Sequence, residues 1–288
     1  MEPALSDALQ QGEQLGSRYA LQIPQVAASG HIGSRLGRRA GSSIDFQDYR
    51  EYQPGDDLRF IDWGMYARTD RVSVKLYREE VTPHLDLIVD GSRSMNLEES
   101  AKAGATAKLA ALLATAAANA HCSRAVWLSA EGFQRIANDV HPPSAWSGFD
   151  LASSRTPDEA FEILAPKLRR VGIRVLLSDL LWPGNPVSTI RRFREGAAAL
   201  FVVQLLAAED LNPPENGSIR LVDSETGEVA ELFVDASVKK QYRENLATLQ
   251  QSWADACRQS GAQLTTLIAE KVDDSLGELE AMELLMPG

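Results

Sequence analysis

The chain has 288 residues, a formal net charge of −11, and 44% hydrophobic and 24% charged residues, a balance typical of a soluble globular protein. From Leu205 to the end there are 16 acidic and 6 basic residues, a net charge of −10, so the remainder is nearly neutral. This charge excludes a general nucleic-acid binder, which needs a basic face. Two widely spaced cysteines and the lack of a long apolar stretch predict a cytoplasmic protein without a membrane span.

The N-terminal region is predicted to contain one helix and one loop. Residues 3–15 favour a short helix, and the following stretch ASGHIGSRLGRRAGSS (28–43) is rich in glycine and serine and locally basic. We therefore assign residues 1–43 to an N-terminal helix and a flexible loop.

The next region, residues 44–82, is predicted to be a β-hairpin subdomain. Apolar residues alternate in IDWGMYA (61–67) and again in VSVKLY (72–77), with polar residues between the two segments. Alternation of this kind is typical of strands with one buried face.

From His84 onward, predicted strands alternate with predicted helices. The strand segments are HLDLIVD, RAVWLSA, GIRVLLSD, AALFVVQLL and AQLTTLIA, and FQRIANDV is a short antiparallel candidate. The helix segments are SAKAGATAKLAALLATAAANA, PDEAFEILAPKLRR, PVSTIRRFREGA and ASVKKQYRENLATLQQSWADACRQSG, the last preceded by a hairpin near Thr226. This order predicts an α/β domain over residues 83–288, with a mostly parallel sheet flanked by helices.

A candidate metal site lies where two of these strands end. Asp90, Ser92 and Ser94 follow HLDLIV, and Asp179 follows a later strand. Parallel strands present their carboxyl ends at one edge of the sheet, so both carboxylates are expected there. An all-oxygen set of low charge favours a hard ion such as Mg²⁺ or Mn²⁺. The alternative is that the serines cap the next helix and Asp90 merely terminates a strand.

A third hydroxyl ligand is predicted to be Thr156. The sequence Thr156-Pro157-Asp158-Glu159 is also a good helix capping box, which explains Thr156 without a metal. Ser153 and Ser154 compete with it for the same role.

The charged residues Asp56, Asp57, Arg59 and Asp62 allow two interpretations. One is a structural network of ion pairs and turns that fixes the hairpin. The other is a docking surface for a partner protein.

The Asp90-Gly91-Ser92-Arg93-Ser94 segment resembles the DxSxS element of von Willebrand factor type A domains. The resemblance implies a metal-ion-dependent adhesion site (MIDAS) on a Rossmann-like fold. Ser92 and Ser94 would bind the cation directly, with Asp90 and Asp179 bridged by water. An acidic side chain from another protein would fill the open position, so such modules bind and do not catalyse.

The upstream segment DFQDYREYQPGDDLRFIDWGMYARTDRVSVKLYREE is similar to the signature of the bacterial "domain of unknown function 58" family, and residues 223–264 extend the likeness. Genes of that family commonly neighbour those of MoxR-type AAA+ ATPases. The resemblance implies a chaperone-like cytoplasmic adaptor that works with such an ATPase on a client protein during assembly or maturation.

Two other functions are alternatives. The first is a phosphatase-like hydrolase with Asp90 as nucleophile, although Ser92 stands where such enzymes carry a second aspartate, and no Ser-His-Asp arrangement is evident. The second is a scaffold with a degenerate metal loop, in which Arg93 points away or fills the cation position.

Overall fold

The structure is a computed structural model that describes residues 3–24, 44–79, 82–98, 100–212, 216–224 and 226–288. The chain divides into two compact units, which we call the α/β unit (Met1–Ala27 and Pro83–Gly288) and the hairpin unit (Ala28–Thr82). The boundaries predicted after residues 43 and 82 stay predictions. The loop predicted over residues 28–43 lies outside the described residues.

The α/β unit contains most of the regular structure. Its helices are α1 (Pro3–Gly16), α3 (Lys102–Asn119), α4 (Pro157–Ile163), α5 (Pro186–Arg194), α6 (Ala208–Leu211), α7 (Ala236–Ser260) and α8 (Leu276–Ala281), and the hairpin unit holds α2 (Trp63–Thr69). Its strands are β1 (Tyr19–Leu21), β4 (His84–Val89), β5 (Ser123–Ala130), β6 (Gly132–Arg135), β7 (Ile173–Ser178), β8 (Ala199–Leu206), β9 (Gly217–Val222), β10 (Val229–Val234), β11 (Gln263–Ile268) and β12 (Leu285–Pro287), and the hairpin unit holds β2 (Ile44–Glu51) and β3 (Ser73–Glu79).

Six strands form the central sheet, in the order β11-β8-β7-β4-β5-β6. All neighbours are parallel except β6, which runs antiparallel to β5 at one edge. The predicted fold class, a mostly parallel α/β sheet flanked by helices, is confirmed. The predicted antiparallel strand is also present, as β6.

The inner strands β4, β7 and β8 are buried on both faces, which explains why their sequences are largely continuous apolar runs. Alternate residues of β4 point to opposite faces: Leu87 belongs to one core cluster, with Leu112 of α3, and Ile88 belongs to the other, with Trp253 of α7. Helix α1 covers α3 so closely that a Cβ added to Gly12 would lie 2.1 Å from a backbone oxygen.

The register of the sheet brings three strand ends together. Val89 of β4 pairs with Leu177 of β7, which in turn pairs with Val203 of β8. The residues that follow these strands therefore leave the sheet at the same edge, which we call the carboxyl edge. The opposite edge is the amino edge.

The hairpin unit differs from its prediction. Strand β3 overlaps the predicted second strand, residues 72–77, and extends to Glu79. It pairs with β2, however, and the predicted first strand is helix α2 instead. Asp62 caps this helix by accepting a hydrogen bond from the Met65 amide, and Asp70 ends it in the left-handed region. The alternation of apolar residues was misleading because Trp63 is 62% exposed and faces no core.

Within the described ranges, no helix has both the length and the apolar character needed to cross a membrane.

Candidate metal centre

The loop after β4 is held tightly against the neighbouring strand. The Gly91 amide donates to Ser129 Oγ at 2.8 Å, and the Asp90 amide donates to the Leu177 carbonyl at 2.9 Å. A Cβ added to Gly91 would lie 2.2 Å from the Ser129 carbonyl oxygen, so only glycine fits between Asp90 and Ser92.

The two serines of this loop present their hydroxyls to each other. Ser92 Oγ lies 2.9 Å from Ser94 Oγ, and Ser92 is 3% exposed. Ser92 stands at the N-cap of a short 3-10 turn, but its side chain makes no capping hydrogen bond. Helix α3 begins after Ala101, which also makes none. Ser92 therefore does not have the capping role that was the alternative for these serines.

Asp90 is fully buried, and both of its oxygens accept hydrogen bonds. The Ser92 amide donates to Oδ1 at 3.0 Å, and Ser178 Oγ donates to Oδ2 at 2.7 Å. Burial and then the nearby charge of Asp179 raise the pKa of Asp90 to about 6. The ionised carboxylate therefore lacks compensation from positive charge.

Asp179 follows β7 at the same edge and is 1% exposed. Its Oδ1 accepts a hydrogen bond from the Leu181 amide at 3.1 Å. Burial raises the pKa of Asp179, although the positive charge of Lys102 acts in the opposite direction. The next residue, Leu180, has a φ of 57°, a strained conformation for a branched side chain. Such strain is often stored at functional sites.

Two further charged residues, not expected from the sequence, complete this cluster. Lys102, the first residue of α3, places its Nζ 3.1 Å from Asp179 Oδ2 and 3.2 Å from Asp210 Oδ2. Burial disfavours the ammonium, but the two carboxylates outweigh that effect and raise the pKa of Lys102. Two sequence signals were available: a lysine at a helix N-terminus opposes the helix dipole, and Asp210 follows a strand as Asp90 does.

The predicted third hydroxyl has a structural role. Thr156 caps α4 by accepting from the Glu159 amide, and Glu159 completes the capping box. The segment before Thr156 does reach the loop that follows β4, because Ser153 forms an isolated β-bridge with Ser92. The Ser153 amide donates to the Gly91 carbonyl and the Arg93 amide donates to the Ser153 carbonyl, each at 2.9 Å. The Ser153 hydroxyl accepts from the Arg155 amide. Among the described residues, no hydrogen bond connects Ser154 to this loop.

Arg93 does not fill the cation position. Its side chain is exposed, and its Nε donates to the Ala152 carbonyl at 3.3 Å. The positive charge near Asp179 comes from Lys102 instead.

The donor set fits a hard divalent cation. Neighbouring ligands in an octahedral Mg²⁺ shell, with bonds of about 2.0–2.1 Å, are separated by about 2.9 Å. Ser92 Oγ and Ser94 Oγ have that separation. In the described part of the chain, no three His, Cys, Asp or Glu side chains form a metal-binding group. The predicted site relies instead on two serine hydroxyls beside the carboxylates.

In the hairpin unit, each charged residue of the predicted docking surface has a structural partner. Arg50 pairs with Asp56 at 2.8 Å, and Arg59 pairs with Asp57 at 2.6 Å. Asp62 caps α2 and accepts from Tyr49 and Lys75. The Met65 amide bond and then the Tyr49 bond lower the pKa of Asp62 to about 2. These contacts form the structural network that was one of the two predicted interpretations.

The amino edge holds a second polar cluster, partly buried, that includes a Ser-His-Asp chain not expected from the sequence. Ser123 Oγ lies 2.9 Å from His84 Nδ1, and His84 Nε2 lies 3.3 Å from Asp86 Oδ1. Arg169 Nη1 also donates to Ser123 Oγ, and that hydroxyl is 3.1 Å from the Pro83 carbonyl. These contacts tie strand ends together and leave the hydroxyl engaged.

Comparisons with known proteins identify relatives in mycobacteria and two solved structures. The uncharacterized proteins Rv1480 of Mycobacterium tuberculosis and Mb1516 of Mycobacterium bovis are each 28% identical over 260 residues, covering 83% of this chain and 79% of theirs. BatB of Bacteroides thetaiotaomicron covers 69% of this chain and 99% of its own, at 11% identity and a TM-score of 0.34. An aerotolerance-related membrane protein of Bacteroides fragilis covers 70% and 98%, at 11% identity and a TM-score of 0.36. At these scores, the two structural likenesses carry no argument about function.

The profile of one protein family matches most of the chain. It is described as "Protein of unknown function DUF58", and it covers residues 48–253, which include β3, the Asp90 loop, Asp179 and Asp210. The signature segment that the sequence suggested lies largely within this match. The chain therefore belongs to the DUF58 family.

Proposed function

We propose that this protein is a metal-dependent protein-binding adaptor and not an enzyme. Ser92 and Ser94 would bind Mg²⁺ or Mn²⁺ directly, with Asp90 and Asp179 behind them. The observation that supports this most is the placement of the two serine hydroxyls, which share a hydrogen bond of 2.9 Å, beside a buried carboxylate. A donor set of this kind, with few formal charges, suits a hard cation that keeps some of its water.

The site is open on one side. Ser92 is buried, whereas Ser94 is half-buried and Arg93 is exposed, so solvent reaches the loop from the side of Ser94. With Ser92 and Ser94 holding a divalent cation, the loop would offer an electrophilic position there to an incoming carboxylate. The serine hydroxyls and Asp90 orient that position, and the type A resemblance supports a client protein as the source of the acidic residue.

A MoxR-type AAA+ ATPase is the partner that we propose from the family resemblance, with the complex in the cytoplasm. In the hairpin unit, Leu58 and Trp63 directly follow Asp57 and Asp62, and they are 60% and 62% exposed. Large apolar side chains beside charges are typical of protein interaction sites. This supports the region of Asp56, Asp57, Arg59 and Asp62 as the docking surface for the ATPase.

The hydrolase alternative receives little support from the geometry. An aspartate nucleophile needs an oxygen that can approach the substrate. Asp90 is fully buried, and both of its oxygens accept hydrogen bonds from the chain itself.

Metal binding is tested by calorimetric titration of the protein with Mn²⁺. We expect saturable binding to wild type and its loss in the double variant Ser92→Ala/Ser94→Ala. The control is Ser17→Ala, which changes a serine that follows α1 and bonds only to the Gln14 carbonyl among its described contacts. Equal Mn²⁺ affinity in all three proteins would contradict the proposed site.

Partner binding is tested by pull-down of the MoxR-type ATPase encoded nearest to the gene of this protein. We expect the double variant Asp57→Ala/Arg59→Ala to lose the ATPase, and Asp90→Ala to retain it while losing acidic clients. If both variants capture the ATPase as wild type does, the docking surface is wrong.

A further inference from the structure

Lys102 occupies a position that is unfavourable for a lysine. Its side chain is 1% exposed, and lysines are almost never fully buried unless they are paired. It also begins α3, where the positive end of the helix dipole disfavours a cation. Two carboxylates at 3.1 and 3.2 Å compensate for this placement. The chain therefore provides a fixed positive charge at the carboxyl edge.

This ammonium does not neutralise the cluster. Three carboxylates, those of Asp90, Asp179 and Asp210, follow the neighbouring strands β4, β7 and β8, and one lysine lies among them. With all four groups ionised, the formal sum is −2, which is the charge that a divalent cation would balance. Lys102 bonds to Asp179 and Asp210, while Asp90 bonds to Ser92 and Ser178.

Asp179 interacts both with Lys102 and with Asp90. One of its oxygens bonds to Lys102, and its charge is among the causes that raise the pKa of Asp90. A divalent cation on the serine loop would attract the Asp179 carboxylate, which the lysine already holds. The two cations thus require the same carboxylate.

We propose that Lys102 is a built-in competitor of the divalent cation, an inference that rests on the metal site proposed above. By pairing with Asp179, the lysine lowers the affinity of the Asp90–Ser92–Ser94 site for metal. It also balances Asp179 and Asp210 when no metal is bound, so that the sheet edge folds without one.

Asp210, a partner of Lys102, lies in α6 and is hydrogen-bonded to α7. Its Oδ2 accepts from the Ala207 amide at 2.8 Å, and its backbone carbonyl accepts from Tyr242 of α7 at 2.7 Å. A partner that shifts α6 or α7 would move one anchor of Lys102. The strength of the lysine's competition, and with it the metal affinity, would change.

The test is calorimetric titration of the full chain with Mn²⁺, comparing wild type with Lys102→Met. Methionine keeps most of the side-chain length and removes the charge. We expect binding to tighten about 10- to 100-fold, which corresponds to about 1.4–2.8 kcal/mol, because the Asp179 carboxylate would no longer be held by the lysine and would be available to the cation. The control is Lys108→Met on the same helix, which removes a partly exposed ion pair with Asp273 and should leave the affinity unchanged.

A second pair of variants separates competition from simple charge removal. In an Asp179→Asn background the lysine has lost the carboxylate it contests, so Lys102→Met should no longer tighten Mn²⁺ binding. Lys102→Gln, which keeps hydrogen-bond donors, replaces the methionine variant if that protein does not fold.

Each outcome is informative. Wild-type binding with unchanged affinity in Lys102→Met, or equal tightening in both backgrounds, would overturn the competitor role and leave the proposed function intact. Binding by Lys102→Met alone would support the competitor role and refute metal dependence in the wild type. If neither protein binds Mn²⁺, both proposals fail.

Discussion

Strand β4 carries one aspartate within it and is followed by a second, and the two are buried at opposite edges of the same sheet. Asp86 and Asp90 are both 0% exposed. Asp86 accepts from Trp127 Nε1 at 3.0 Å and from the Arg169 amide at 2.8 Å, and it lies opposite Arg174 in the register with β7. Asp90 has two donors, but its pKa is raised to about 6 by burial and then by a second carboxylate.

The comparison shows that burial of an aspartate is not sufficient to make it part of a binding site. The carboxylate at the amino edge accepts hydrogen bonds from Trp127 and the Arg169 amide and lies opposite Arg174, so it is a structural element. The carboxylate at the carboxyl edge accepts hydrogen bonds, but no lysine or arginine of the described residues forms an ion pair with it, and it stands beside the two serine hydroxyls that we propose as metal ligands. The following predictions test this difference, from the largest expected effect to the smallest.

Replacing each aspartate by alanine in the absence of metal should have unequal effects. Asp86→Ala leaves the Trp127 indole N–H and the Arg169 amide without their acceptor, and we expect a loss of about 2–5 kcal/mol in the free energy of unfolding. Asp90→Ala removes a carboxylate that is unfavourable when ionised, so its loss should be much smaller. The measurement is urea unfolding in EDTA, and equal losses would contradict the distinction.

Adding a methyl group to a glycine at each edge should also separate them. In Gly91→Ala the new Cβ meets the Ser129 carbonyl at 2.2 Å, whereas in Gly172→Ala its nearest neighbour is the Arg169 carbonyl at 3.2 Å. We expect Gly91→Ala to cost about 1–3 kcal/mol of stability and to abolish Mn²⁺ binding. Gly172→Ala should cost less and bind Mn²⁺ as wild type does. Retained Mn²⁺ binding by Gly91→Ala would show that the loop need not be packed this tightly.

The pH dependence of metal binding should follow Asp90. Its pKa is about 6 in the folded protein against 3.8 ordinarily, so the folded state holds an extra proton between these values. Metal-free stability therefore decreases as pH rises through this window, while Mn²⁺ affinity increases by up to about tenfold per pH unit and levels off above 6. Titrations at pH 5, 6 and 7.5 measure this, and an affinity independent of pH would argue against Asp90 as a metal-site residue.

The smallest expected effect concerns Thr156. If this residue only caps α4, Thr156→Ala should cost about 1 kcal/mol of stability, equally with and without Mg²⁺. A selective loss of Mg²⁺-dependent stabilisation would instead assign Thr156 to the metal site.

The sheet was predictable because its inner strands β4, β7 and β8 are largely apolar runs that alternate with helical segments. Strand order alone placed Asp90 and Asp179 at expected strand ends. The hairpin unit was less predictable: the alternation in residues 61–67 matched a strand, but the Asp62 cap and the exposed Trp63 produce a helix. Local capping overrode the apolar pattern there.

The cluster around Lys102 could not be found by pattern alone. The lysine is 77 residues from Asp179 and 108 from Asp210, and only the packing of α3 on the sheet brings them together. Sequence reasoning assigned a possible blocking cation to Arg93, the nearest basic residue along the chain. In the folded protein Arg93 bonds to the Ala152 carbonyl, and the buried charge comes from the helix that follows the loop.

The central claim, that the carboxyl edge of the sheet holds a divalent cation, is tested most directly by thermal unfolding. Wild type and Asp90→Ala would be compared in EDTA and in excess Mg²⁺. At about 100 times its dissociation constant, a ligand stabilises the folded protein by about 2.7 kcal/mol, or several degrees for a chain of this size at roughly 2–4 °C per kcal/mol. We predict that rise in wild type and none in Asp90→Ala. No rise in wild type, or an equal rise in both proteins, would contradict the account.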